Sequence, residues 1–240
     1  GENIIYFGDT AHLPYGDKSK ESIISFSKKI AEFLLSRNAK MILIACNSSS
    51  ANAYQAVKEY VGDNAIVIDA IDPVVQYIKN IKEIKKLGVI GTKSTISSRA
   101  YEQKLKEAVP LMEVRSMATP LFVPMIEEGF IYDDISNAII RSYLSKEELG
   151  KINALILGCT HYPIIKNQIS KYYDFNVEIF DSALVVANYA RDILANKKMI
   201  NQGNFASQEF FVSDYTDYFE KISRMFFEEK IILSKLNLWE

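Results

Sequence analysis

The chain holds two cysteines, and both stand at the same place in the same kind of local unit. Met41 to Ala51 reads MILIACNSSSA, and Ala154 to Pro163 reads ALILGCTHYP. In each, an unbroken apolar run ends in a small residue, then a thiol, then polar side chains. Apolar runs without alternation suit strands covered on both faces, as in a parallel sheet. Open α/β sheets bind ligands beyond the C-terminal ends of such strands, so Cys46 and Cys159 stand where chemistry is done. A thiol, with a reference pKa of about 8.5, can give or take a proton near neutrality. A pseudo-symmetric pair of reactive thiols facing one pocket is the reading favoured by the repeated unit. A Cys46–Cys159 disulfide, or a structural cysteine with a nearby surface histidine, is the plainer reading of the same residues.

A bare thiol is ionised to only about a few per cent at pH 7 and needs a neighbour to adjust it. His161 follows Cys159 by two residues, and on an extended backbone the two side chains would share a face. Glu127 is a second candidate on that side, emerging with Glu128 from the apolar segment Pro120 to Gly129, PLFVPMIEEG. For Cys46 no partner is evident. The glycine and hydroxyls of Gly91-Thr92-Lys93-Ser94-Thr95, at the tip of an expected strand, could bind a carboxylate or phosphate. The tip Gly91 to Thr95 lacks P-loop spacing, and on its own suits an N-cap of a helix around Tyr101 to Ala108. Two Cys and two His lack zinc-site spacing, no Gly-x-Gly-x-x-Gly occurs, and no lysine marks a pyridoxal phosphate site. No metal or cofactor is expected.

The elements that would carry these residues alternate along the chain. Strands are expected at Ile4 to Phe7, Met41 to Ile44, Ile66 to Ile68, Leu87 to Ile90, Glu113 to Arg115, Ala154 to Leu157, Val177 to Phe180 and Glu209 to Val212. Helices are expected from Ser19 to about Arg37, Ala51 to Tyr60, Asp72 to about Ile81, Tyr101 to Ala108, Asp133 to Leu149, Asp181 to about Ala195 and Asp217 to Glu229. Pro163 suits the first turn of a helix after the second thiol, and Gly158 would let a backbone or ligand come close. Strand–helix alternation implies α/β layers with mostly parallel sheets.

The 240 residues suffice for one large or two small domains. Charge is nearly balanced, 28 basic against 30 acidic, so nothing points to a nucleic-acid surface. No apolar run approaches the roughly 18 residues that would span a bilayer. Two cysteines without a disulfide framework suit a reducing cytoplasm.

Taken in order, YFGDTAHLPYG (Tyr6 to Gly16), ACNSSSA (Ala45 to Ala51), GVIGTKSTISSRAY (Gly88 to Tyr101), PLFVPMIEEG and LGCTHYP resemble bacterial glutamate racemases, of the cofactor-independent aspartate/glutamate racemase family. The resemblance implies two pseudo-symmetric α/β domains with the active site in the cleft between them. Residues 1–70 and 182–240 would form the first, and 71–181 the second. It implies proton-transferring thiols at Cys46 and Cys159, with Cys46 acting on D-glutamate and Cys159 on L-glutamate. Glu127 and His161 would be auxiliary acid/base groups, and Pro14, Tyr15, Gly16, Asn47, Ser48, Thr92, Thr95 and Thr160 would bind substrate. The product would be D-glutamate for peptidoglycan, and a homodimer is left open. The family opens with a strand and an Asp-Ser-Gly-x-Gly-Gly loop ahead of the Tyr6 element, so such a segment is expected upstream of Gly1. Ser48 stands where the family usually has Thr, and Ser94 and Arg99 where it often has Gly. The alternatives are an aspartate racemase, a Cys–His hydrolase built on Cys159 and His161, and a non-catalytic amino-acid-binding protein.

Overall fold

In the computed structural model the protein is described over residues 1–203, 205–215 and 231–239. All paired strands among these are parallel. Four form one sheet in the order β5-β4-β6-β7: β4 (Lys86–Gly91), β5 (Glu113–Ala118), β6 (Ala154–Gly158) and β7 (Glu178–Asp181). A second sheet pairs β2 (Met41–Ile44) with β3 (Ile66–Asp69). A third runs β1-β8-β9, joining β1 (Ile4–Gly8) to β8 (Gln208–Val212) and then β9 (Leu233–Lys235). The end of the chain thus pairs with its beginning. This last strand was not expected from the sequence, and the helix expected at 217–229 lies outside the described residues.

The central strand β6 explains its own composition. All five of its residues are buried. Leu155 and Leu157 point into a core with Ile90, Phe122, Ile126 and Tyr162, while Ala154 and Ile156 point into another with Leu87, Val89, Tyr101 and Leu105. A strand with a core on each face has no side to leave polar, hence the run ALIL. A third core, Ile23, Ala31, Ile42, Ala53, Val57, Val61 and Val67, lies among α1 (Lys20–Ser36), α2 (Asn47–Val61), β2 and β3.

Four of the described helices start at side-chain caps. Ser19 accepts the Ser22 N–H to open α1. The helix after β3, α3, runs Asp72–Ile78. Thr92 accepts the Thr95 N–H to open a short helix α4 (Lys93–Ser97), separate from α5 (Ala100–Ala108). Thr92 is therefore a cap, as its local sequence suggested, but of this extra helix. Between the two helices Arg99 sits at φ 58. That left-handed conformation favours glycine, the residue the family often carries there. The PLFVPMIEEG segment forms α6 (Phe122–Glu127). Asp133 and Ser136 form a reciprocal capping box at the start of α7 (Asp134–Leu144). That helix stops short of the expected Leu149, which lies instead in a turn of 3-10 helix. After β6, a 3-10 turn at Tyr162–Ile165 leads into α8 (Lys166–Tyr172), and Asp181 caps α9 (Ser182–Asn196). No helix among the described residues is long and apolar enough to cross a membrane.

Candidate active site

The two thiols sit at strand ends and are free, so the disulfide reading falls. In the four-stranded sheet Gly91 lies opposite Gly158, which puts Thr92 and Cys159 side by side at the C-terminal edge. Gly158 is demanded by that closeness. A Cβ there would stand 2.7 Å from the Ile90 carbonyl oxygen, against backbone that cannot turn aside.

Cys46 is the N-cap of α2, which begins at Asn47. The helix starts four residues earlier than expected, because Asn47, Ser48, Ser49 and Ser50 fill its first turn and are all buried. The thiol therefore stands at the N-terminus of a 15-residue helix, with no side-chain cap hydrogen bond to it. Burial pushes the Cys46 pKa up, the Ser49 amide and hydroxyl and the Ser48 amide pull it back, and the charge of Cys159 pushes it up again. Helix N-terminal amides favour the thiolate over the thiol.

Cys159 is handled by other means. Its Sγ lies 3.8 Å from His161 Nδ1, and His161 Nε2 lies 3.0 Å from Glu127 Oε1. Burial alone would pull the His161 pKa down, but the Cys159 sulfur and the Glu127 carboxylate outweigh it and raise it to about 9. At neutral pH the ring is an imidazolium donating toward sulfur on one side and carboxylate on the other. The geometry differs from the extended segment expected. His161 has φ −80 and ψ −28, because the backbone turns directly into the 3-10 turn containing Pro163. The turn, rather than a shared strand face, brings ring and thiol together. Glu127 reaches Cys159 through His161.

Between the thiols lies a cluster of hydroxyls. Ser48 Oγ is 2.8 Å from Thr92 Oγ1 and 3.3 Å from Thr95 Oγ1, and the two threonine oxygens are 3.0 Å apart. Asn52 Nδ2 donates to Ser94 Oγ at 2.9 Å, and Tyr101 Oη to Asn47 Oδ1 at 2.7 Å. These bonds join the start of α2 to α4 and α5. Gly16 packs so tightly on this cluster that a Cβ there would stand 2.8 Å from Thr92 Cβ. Tyr15 has its pKa raised by burial, by its bond to Asp9 and by the charges of Asp9 and Cys46, and its ring packs against the core that holds α2. Pro14 is exposed and leads into the Tyr15–Asp17 turn, and Thr160 is exposed on the rim beside Cys159.

Sequence reasoning gave no role to Asp9. This buried carboxylate accepts from Tyr15 Oη at 2.6 Å and from Ser213 Oγ at 2.8 Å, and lies 2.9 Å from His12 Nδ1. It ties Tyr15 to the residue that follows β8. Its place at the tip of β1, in Gly8-Asp9-Thr10, was the available signal. His12 is structural: besides its bond to Asp9, its ring stacks on Phe26 with centroids 4.1 Å apart. No group of three or more His, Cys, Asp or Glu among the described residues could hold a metal ion.

The arrangement is therefore two free thiols flanking a bed of donors, one under helix amides and the other against an imidazolium. Comparison with known proteins gives the same reading. Residues 2–190 match the Asp/Glu/Hydantoin racemase family. A glutamate racemase of Geobacter metallireducens is 36% identical over 234 residues, covering 96% of this chain and 85% of that protein. One from Neisseria meningitidis is 37% identical over 226 residues, covering 94% and 83%. The crystal structure of a Francisella tularensis glutamate racemase in complex with D-glutamate superposes with a TM-score of 0.93 at 38% identity, covering 99% of this chain and 89% of that one. A Bacillus anthracis glutamate racemase isoform gives 0.92 at 30% identity, covering 99% and 88%. The chain belongs to the glutamate racemase family, within the Asp/Glu/hydantoin racemases.

Proposed function

We propose that the protein interconverts L- and D-glutamate by cofactor-independent 1,1-proton transfer between Cys46 and Cys159. One thiolate takes the Cα proton while the opposite thiol delivers another to the other face. In the D-to-L direction Cys46 is the base and Cys159 the acid, and the roles exchange in reverse. The observation that carries this reading is geometric: two free thiols stand just past the ends of two parallel strands, and the segments that follow them are joined by the Ser48–Thr92 hydroxyl bond. His161, held by Glu127, serves Cys159 as a charge partner. The helix amides of Ser48 and Ser49 serve Cys46.

Asn47, Ser48, Thr92, Thr95 and Thr160, with Pro14, Tyr15 and Gly16 at the facing turn, are the substrate-binding groups in this reading. Donors concentrated there favour an α-carboxylate whose charge grows as Cα loses its proton. Glutamate, rather than a shorter dicarboxylate, is favoured by the relatives, which are glutamate racemases. We assign residues 1–70 and 182–240 to one domain and 71–181 to the other. The pairing of β1 with β8, and the separate sheet running from β4 to β7, support that division. Two free thiols suit a cytoplasmic enzyme supplying D-glutamate for peptidoglycan.

Circular dichroism of purified protein with L-glutamate and, separately, L-aspartate tests the assignment. Decay of the L-glutamate signal to zero without added cofactor, much faster than that of L-aspartate, is expected. Faster turnover of aspartate would make the protein an aspartate racemase, and a static signal with both would leave amino-acid binding alone.

A further inference from the structure

One buried side chain outside the assigned site is bonded to the first thiol loop and lies beside the strand end that carries the second. Tyr101, on α5, is 2% exposed, and its ring belongs to the core beneath β4 and β6. Its hydroxyl donates to Asn47 Oδ1 at 2.7 Å, and Asn47 directly follows Cys46. Its Cε2 lies 3.4 Å from where a Cβ on Gly158 would stand, and Gly158 directly precedes Cys159. Burial, with the charges of Asp69 and Cys159, pushes the phenol pKa far up, so the ring keeps its proton and remains a donor.

The bond orients the asparagine. A buried phenol must find an acceptor for its O–H, and the acceptor here is the amide oxygen of Asn47. Asn47 is itself 2% exposed, and with its oxygen engaged its Nδ2 is left buried without a partner. An unpaired buried donor is unfavourable, and an incoming acceptor relieves it. We propose that Tyr101 is a positioning residue for racemisation: by holding Asn47 Oδ1 it presents Nδ2 as a donor to a substrate carboxylate oxygen. Its ring, packed in the core with Val89 and Ile156 of the strands that carry Gly91 and Gly158, fixes the position from which that bond is made. This inference rests on the glutamate racemase reading above.

The test is a double-mutant cycle of Tyr101→Phe and Asn47→Ala in the full chain. Four quantities are read: kcat and KM in both directions, the D-glutamate dissociation constant by calorimetry, and the melting temperature. Tyr101→Phe keeps the ring and removes the donor, freeing the Asn47 amide to turn over. It should raise KM and the dissociation constant about tenfold, as for one misdirected hydrogen bond, with kcat changed less than about threefold. In the Asn47→Ala background the same change should add less than about twofold. If Asn47→Ala does not fold, Asn47→Asp replaces it. Aspartate still accepts from Tyr101 but offers no donor, so it should weaken binding whether residue 101 is Tyr or Phe. An undiminished tenfold effect in either background overturns the proposal. So does unchanged binding with a lowered melting temperature, which makes Tyr101 a packing residue only. In both cases the wild type still racemises glutamate, so the functional reading stands. A wild type that neither binds nor racemises glutamate overturns both together.

Discussion

The two thiol units share a plan, yet the molecule treats them differently. Cys159 leaves the central strand of a four-stranded sheet with all five strand residues buried. Cys46 leaves β2 of a two-stranded sheet, where Leu43 is 42% exposed. The second thiol has an imidazolium braced by a carboxylate. The first has amides and a serine hydroxyl at a helix N-terminus, and among the described residues no imidazole or carboxylate is bonded to it. The lesson is that symmetry is needed only at the reacting atoms. A fixed backbone dipole and a titrating side chain can each favour a thiolate, but only the second carries a pKa that solvent pH can cross.

The largest effects test what the halves share. Cys46→Ser and Cys159→Ser should each lower racemisation by about 10³-fold or more, since each removes an obligatory proton-transfer partner. A variant retaining near wild-type rates would break the pairing of the two units. Next come the residues present on one side only. His161→Asn should lower kcat by about 10²-fold, and Glu127→Gln by about tenfold because it acts through His161. The ratio of kcat/KM in the two directions is set by the equilibrium and cannot change. Asymmetry must instead show in the primary isotope effect with Cα-deuterated substrate. In His161→Asn it should grow more from L-glutamate, where Cys159 is the base, than from D-glutamate. Equal effects in both directions would detach His161 from Cys159.

A smaller effect follows from pH. The folded-state pKa of His161 is raised from 6.5 to about 9, so its pairing stabilises the fold fully below about 6.5. That stabilisation is lost as pH climbs through 9. Thermal denaturation should show a wild-type decline between pH 7 and 9.5 that His161→Asn lacks. Asp69, at the tip of β3, gives a second decline of the same sign in a more acidic window. Burial first, then the charge of Asp72, raises its pKa from 3.8 to about 6. An acid held protonated by the fold loses stability as pH rises from about 4 to about 6, by up to about 3 kcal/mol. Asp69→Asn should flatten that slope, and an unchanged slope would place the titrating group elsewhere.

How much of this was legible follows from the range of each interaction. The strand-tip thiols, their unbroken apolar runs and the capping of α1 and α9 are written in neighbouring residues, so local pattern reveals them. Near Cys159 the sequence identified the right residues with the wrong backbone. The expectation was extended, yet the 3-10 turn beginning at Tyr162 draws His161 into a helical conformation. The start of α2 was placed late because Asn-Ser-Ser-Ser resembles a loop, whereas buried contacts with Thr92 and Thr95 make those residues the first helical turn. Bonds such as Asp9 to Ser213 and Tyr101 to Asn47 join segments far apart in the chain, and no periodicity encodes them.

The central claim is that two different groups handle the proton on the two faces of Cα. It is tested most directly by proton NMR of L-glutamate turnover in D2O at early times. Two exchangeable thiols predict that the D-glutamate formed carries deuterium at Cα from its first appearance, while unconverted L-glutamate keeps its proton. Early D-glutamate that retains the substrate's proton would mean that one group carries it from face to face, and would contradict the account.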